Sequence, residues 1–327
     1  MNEVKYMSKE YTNCLRGIFA ILVVIHHLYQ YSGLFRGTYL EIILQLLGVI
    51  SVGMFFFFSG YGLTYSSQRK NYIDGFFVKR FLPLYCFYIF LIISYGVYNF
   101  VLEETFSPEL FTQSFLFGGT IVTNGWYLQT TFVIYLLYLL TFKVFKSSKV
   151  QLVLFGICIF AYCIICLLTD MGAYWYQTVP CMILGIIWCC KKDYIEKILK
   201  KQSWIVFVLC ALLFAVCFIL SAKNSIPMIF NILYPLFFTC SMISLSYILV
   251  NTSLIHNKFN ALCGNYSLEI YVTHGLFLKL IKFEPFYSIP IYIITVIVGT
   301  VVMSIITKRI YMFIVSLFGK IYNRSHQ

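Results

Sequence analysis

The chain has 327 residues, of which 61% are hydrophobic and 20% aromatic while only 11% are charged. That composition excludes a soluble domain of mixed composition and indicates an integral membrane protein. The formal net charge of +12 does not indicate nucleic acid, because no basic run is long enough and the charges fall between apolar segments, where they read as orientation signals.

The N-terminus, MNEVKYMSKEYTNC, is polar, and no small-residue cleavage pattern follows the first apolar run, so no removed signal peptide is expected. Ten apolar runs follow, near 13–33, 40–65, 77–101, 125–145, 149–168, 173–191, 203–221, 228–250, 264–283 and 289–316. Runs of this length in lipid are helices, because each must satisfy its own backbone groups. The fold class expected is all-α, a polytopic membrane protein of about ten transmembrane helices forming a single domain over 1–327 with no appended soluble domain. No internal repeat pairs the first five runs with the last five, which weakens the transporter architectures built from inverted repeats.

In the first run, LRGIFAILVVIHHLY places Arg16 and His27 eleven residues apart. At about 100° per residue they return to within roughly 20° of one face, whereas His26 lies about 80° away. The helix rises about 16 Å between them, so an Arg16 at the membrane surface puts His27 near the midplane, where an ionisable group is costly and function is the default reading. Arg16 alone would read as a topology marker; the pair on one face favours function.

The second run, VGMFFFFSGYGLTYS, carries Ser59, Gly60 and Gly62, which admit a ligand or, more simply, a close neighbouring helix. In the third, FFVKRFLPLY sets Lys79 and Arg80 at its mouth, with Pro83 opening or kinking it. The two charges are routine anchors by themselves and, combined with Arg16, could bind a phosphate-rich ligand. The loop near 102–124 carries Glu103, Glu104 and Glu109 without a basic residue, and the fourth run begins GWYLQ, with Trp126 as an interfacial residue.

The twelve cysteines lie mostly inside apolar runs and read as reduced thiols packing as small apolar groups; no Cys/His spacing suggests a metal. In the ninth run, GNYSLEIYVTHGLFL, Ser267, Tyr271 and His274 follow at i, i+4 and i+7 as one polar stripe. His274 arrives at the depth of His27, which suggests a shared cavity, although such residues also join helices structurally. Glu269 is about 140° off the stripe and faces a different partner. Pro285 and Pro290 flank the start of the tenth run, where an interfacial kink is expected.

With the N-terminus cytoplasmic, twenty of the 24 lysines and arginines face inward, including Lys70, Lys146 and Arg324; Arg36, Lys223, Lys279 and Lys282 face outward. Both termini are therefore expected inside. One missed or false helix would invert every later loop, so the asymmetry also supports the count of ten.

The Arg16/His27 spacing, FFFFSGYGL, KRFLPLY, GWYL and GNYSLEIYVTH occur in the order, and on the helices, that resemble the acyltransferase 3 family of membrane O-acyltransferases. The resemblance runs from the first helix to the ninth. It implies transfer of an acyl group, commonly acetyl, from cytoplasmic acyl-CoA to a hydroxyl of an extracytoplasmic or lipid-linked glycan, at the cell (inner) membrane. The family's arginine and histidine of the first helix fall on Arg16 and His27, its basic residue before the third-helix proline on Arg80, and its late histidine on His274. Two positions depart from the pattern: Thr131 stands where many relatives have a glutamate, and Phe77 where many have a second basic residue.

Acyl transfer to an alcohol needs a base and a group that stabilises the developing oxyanion. His27 is the candidate base; Arg16, Arg80 and Lys79 are candidates for the CoA phosphates; Ser59, Gly60, Trp126, Ser267 and Tyr271 are further cavity candidates. His274 reads equally as a second acid/base, an orienter or a transient acyl carrier. The competing readings are a transporter or flippase using the histidines as a proton relay, and, further off, a membrane scaffold. The partners expected are the lipid bilayer and a glycan acceptor.

Overall fold

A computed structural model describes residues 5–69, 71–145, 147–223 and 227–324. Lys70 and Lys146, two of the predicted inward cations, lie outside the described residues, as does the side chain of Arg324. The described chain is helical, with no strand among its elements. In order these are α1 (Lys9–Ser32), α2 (Leu40–Ser67), α3 (Tyr72–Phe76), a π-helical turn (Phe77–Phe81), α4 (Leu82–Val101), α5 (Pro108–Phe115), α6 (Trp126–Val144) and α7 (Ser148–Leu168). Then come α8 (Cys181–Cys190), α9 (Lys192–Ala222), α10 (Pro227–Ile248), α11 (Lys258–Asn265), α12 (Ser267–Leu278) and α13 (Ile289–Arg324).

Eight of the ten expected runs form stretches long and apolar enough to cross a membrane. The sixth and ninth are built from shorter pieces. The sixth opens as irregular chain and a 3₁₀ turn at Ala173–Trp175 before α8 begins. Ten residues of helix span only about 15 Å, and irregular backbone at membrane depth is tolerated where protein covers it; Trp175, Tyr176, Gln177, Thr178 and Val179 are all buried. The ninth breaks at Tyr266 between α11 and α12. Helix α9 takes in the polar stretch from Lys192 and bends at Gln202, whose φ of −141° is non-helical. In the last run, where Pro285 and Pro290 flank the start, α13 begins at Ile289, beyond Pro285, and extends to Arg324.

The chain forms two compact units. The first holds α1 to His26, α2, the end of α7 from Ile159, and α8 to α11. Its helices touch through glycines. A Cβ on Gly60 would lie 2.0 Å from the Met182 carbonyl oxygen, and one on Gly185 would lie 2.1 Å from that of Phe57, so α2 and α8 cross backbone to backbone. Gly17 and Gly264 do the same for α1 and α11, with clearances of 2.1 and 1.9 Å to the Asn260 and Asn13 carbonyl oxygens. Such approach gives van der Waals packing that no side chain can supply, and it drives helix association where lipid removes the hydrophobic drive. Gly60 thus packs against α8, whereas a Cβ on Gly62 would meet nothing within 4 Å.

The second unit holds His27–Leu34, α3 to the first half of α7, and α12 and α13. Pro83 explains the π turn that opens α4. A proline ring clashes with the carbonyl four residues back, here that of Lys79, and widening the helix by one residue relieves the clash; the Leu82 amide accordingly donates to the Phe77 carbonyl, five residues back. Among the residues after α4, Lys279 and Lys282 both pair with Glu104, the latter at 3.0 Å. Two of the four cations expected outside are therefore paired with a carboxylate of the acidic stretch that follows α4.

The outward faces of α9 and α13 leave Leu209, Leu212, Val216, Ile219, Val298, Val301 and Val302 exposed. Rows of apolar side chains this long require lipid as their solvent.

Candidate functional site

The site is built in the second unit, where α12 brings His274 against His27. Gly275 lets α12 seat closely: a Cβ there would lie 2.7 Å from both the Tyr95 hydroxyl and the Thr123 side chain. The Tyr95 hydroxyl donates to the Val272 carbonyl at 2.9 Å, and the Tyr271 hydroxyl to the Asn124 carbonyl at 2.9 Å. Tyr271, a cavity candidate by sequence, is thereby a brace between α12 and the turn ahead of α6. Ser267 starts α12 half-buried.

His27 and His274 are in hydrogen-bond contact, Nδ1 of the first lying 3.1 Å from Nε2 of the second. The rings are tilted by 33°. The far nitrogen of His274, Nδ1, lies 3.0 Å from the Ile270 carbonyl oxygen on its own helix. Exposure is 9% for His27 and 0% for His274. The neighbouring His26 is held differently: its Nδ1 donates to the Leu44 carbonyl at 2.7 Å, and its ring packs on Gly48. Adjacent histidines on one helix thus have different partners.

On the π turn, Arg80 is set among Tyr72, Tyr135 and Tyr311 and hydrogen-bonds to the Tyr135 hydroxyl. The residue nevertheless remains open to water. The Tyr135 hydroxyl takes up one of the guanidinium's donors without cancelling its charge, and such a wetted cation is a natural anion contact. Lys79, one residue earlier, is turned to α13, its ammonium 3.7 Å above the Tyr322 ring. Consecutive residues on any helix diverge by about 100°, so the two cations face different ways. Arg16 belongs to the first unit; it is half-buried, and its Nε donates to the Thr12 carbonyl at 3.4 Å.

The partner predicted for Glu269 is Lys308 of α13, at 3.3 Å. Glu269 is fully buried and the Lys308 side chain is 29% exposed. Thr273 donates to the Glu269 carbonyl and meets Ser304 at 3.2 Å, which fastens the same two helices.

Trp126 opens α6, with its ring edge-on to Tyr127. Three residues on, the buried Gln129 amide donates to the carbonyls of Gln113 and Gly119, both at 2.8 Å, and fastens the preceding loop to α6. Thr131, where relatives carry a carboxylate, donates to the Tyr127 carbonyl at 2.7 Å and is satisfied within its helix. Ser59 is half-buried on α2. Lys308, Tyr135, Tyr311 and Gln129 were not legible as site residues. The signal that existed was Glu269 itself, an acid inside an apolar run that demanded a cation. Among the described residues no group of three His, Cys, Asp or Glu side chains could hold a metal.

A family model described as an acyltransferase domain matches residues 9–309. Acyltransferase MdmB of Streptomyces mycarofaciens is 28% identical over 159 residues, which is 43% of this chain and 41% of that protein. The alignment therefore covers less than half the length of that relative. No solved structure matches the chain. The matched region runs from the start of α1 into α13 and includes both buried histidines, Arg80 and the Glu269–Lys308 pair: the chain belongs to the acyltransferase 3 family.

Proposed function

We propose that this protein is a membrane O-acyltransferase that moves an acyl group, acetyl in the commonest case, from cytoplasmic acyl-CoA to a hydroxyl of a cell-surface or lipid-linked glycan. The observation that carries the reading is the buried His27–His274 hydrogen bond in a chain of this family. An imidazole in a water-poor site can take the proton of an attacking hydroxyl near neutral pH. The hydroxyl oxygen then bonds to the thioester carbonyl carbon, the C–S bond breaks, and the imidazolium returns its proton to the CoA thiolate. Arg80, with its charge uncancelled by the surrounding tyrosines, is assigned to the CoA phosphates, and Lys79 to a peripheral contact. Arg16 is assigned to the donor along the face of α1 that carries His27. A span count of ten, with α8 and α11–α12 completing the two broken crossings, and cytoplasmic termini at the cell (inner) membrane follow from the charge asymmetry.

The test is transfer of radiolabel from acetyl-CoA to glycan by membranes containing the protein. His27→Ala should reduce transfer by about 10²–10⁴-fold, the usual contribution of a general base, while the protein stays folded in the membrane. Normal transfer by that variant would overturn the assignment. Wild-type membranes that translocate glycan or protons and transfer no label would identify a transporter instead.

A further inference from the structure

Two contacts bear on the protonation pattern of the histidine pair. The Ile270 carbonyl can only accept, so the His274 Nδ1 lying 3.0 Å from it carries a hydrogen. A neutral His274 then has a bare Nε2, which can only accept. The His27 Nδ1 at 3.1 Å from that atom must be the donor, and in a neutral ring this leaves Nε2 of His27 as the basic nitrogen. Charging His274 would reverse the pattern, but its exposure is 0%, and a cation there would forfeit its hydration.

We infer that His274 is a positioning residue, which fixes His27 as the Nδ1–H tautomer with Nε2 as the base and does not itself carry the acyl group. The inference rests on the acyltransferase reading for its kinetic consequence. Its chemistry follows the logic by which a base is oriented by a third group. When His27 Nε2 takes the hydroxyl proton, the Nδ1–H bond to His274 strengthens, because its donor now belongs to an imidazolium. The His274 lone pair is committed to that bond and its other nitrogen to Ile270, so neither nitrogen is directed at a thioester. Of the three roles open to His274 from the sequence, the bond pattern selects the orienter. His27, placed on the same helix face as Arg16, is what it orients.

The test has one arm that needs no activity. In ¹⁵N-histidine-labelled protein in lipid nanodiscs, with the five histidines assigned by single substitution, His27 should show a protonated Nδ1 and a bare Nε2. A protonated Nε2 on His27 in the wild type overturns the inference. In the kinetic arm, His274→Gln supplies an amide oxygen that still accepts from His27 Nδ1, while His274→Leu supplies nothing. His274→Gln should retain at least about tenfold more kcat than His274→Leu, with KM for acetyl-CoA unchanged in both, since the loss is of base orientation and not of donor binding. Equal losses in the two variants, a loss confined to KM, or an acyl group trapped on His274 would each overturn it. Should the tautomer appear and the wild type transfer no acyl group, the tautomer assignment stands and the enzymatic reading falls.

Discussion

The Glu269–Lys308 pair makes an asymmetric prediction. Its carboxylate is wholly shielded while its ammonium keeps 29% exposure, at a separation of 3.3 Å. At an effective dielectric of about 20, such a pair attracts by about 5 kcal/mol, and partial exposure of the lysine lowers the net value. Removing one partner from a buried pair typically costs about 3–5 kcal/mol, because the other charge is stranded. Lys308→Met strands the carboxylate where no water reaches, so its loss belongs at the upper end. Glu269→Gln strands an ammonium that water still touches, and belongs at the lower end or beneath it. The double variant removes both charges and should recover most of the loss, to within about 1 kcal/mol of wild type. Reversible unfolding in mixed micelles, followed by tryptophan fluorescence for all four proteins, closes the cycle. Additive losses, or a Glu269→Gln variant less stable than Lys308→Met, would refute the argument.

Gly60→Ala should cost about 1–3 kcal/mol or more, since its Cβ would meet the Met182 carbonyl oxygen at 2.0 Å. Gly62→Ala, with nothing within 4 Å, should be neutral or gain about 0.5–1 kcal/mol; a Gly60→Ala protein of full stability and impaired transfer would make this glycine a ligand contact. Arg80→Ala should raise KM for acyl-CoA by about 10–100-fold, the loss of one or two charge-assisted hydrogen bonds, with kcat little changed. A change confined to acceptor kinetics would place the donor elsewhere. In the loop after α4, Lys279, hydrogen-bonded to the Glu104 carboxylate, and then Lys282 hold that carboxyl below its usual range. A depressed folded-state value contributes stability above the unfolded pKa of about 4.3 that is lost as pH falls through the folded value. The advantage of wild type over Glu104→Gln in thermal unfolding should therefore be present near neutral pH and vanish in acid; an advantage constant with pH would show that the ion pair contributes nothing.

The membrane class and most of the apolar helices needed no tertiary information, because each follows from a local period or from the cost of an unpaired backbone group in lipid. The choice of His27 over His26 is of this kind: two adjacent residues diverge by about 100° on any helix, and only one can share the face of Arg16. Boundaries fared less well where a break was covered by protein. The buried chain at 175–179 is short and runs directly into the apolar α8, so the two read as one span. At Tyr266, where α11 gives way to α12, the break falls at the very start of an apolar run and leaves no mark on it.

Which residues meet was settled by packing between distant segments. The sequence stripe Ser267, Tyr271, His274 is real as a helix face, but only the fold turns Tyr271 into a brace on Asn124 and brings His274 within 3.1 Å of His27. Glu269 announced a missing cation without naming it, because Lys308 is 39 residues away and lies on another helix. The tautomer of the histidine pair depends on one carbonyl, that of Ile270. A sequence determines that an ionisable group is buried; which of its two nitrogens holds the proton is decided by the atoms that packing sets beside it.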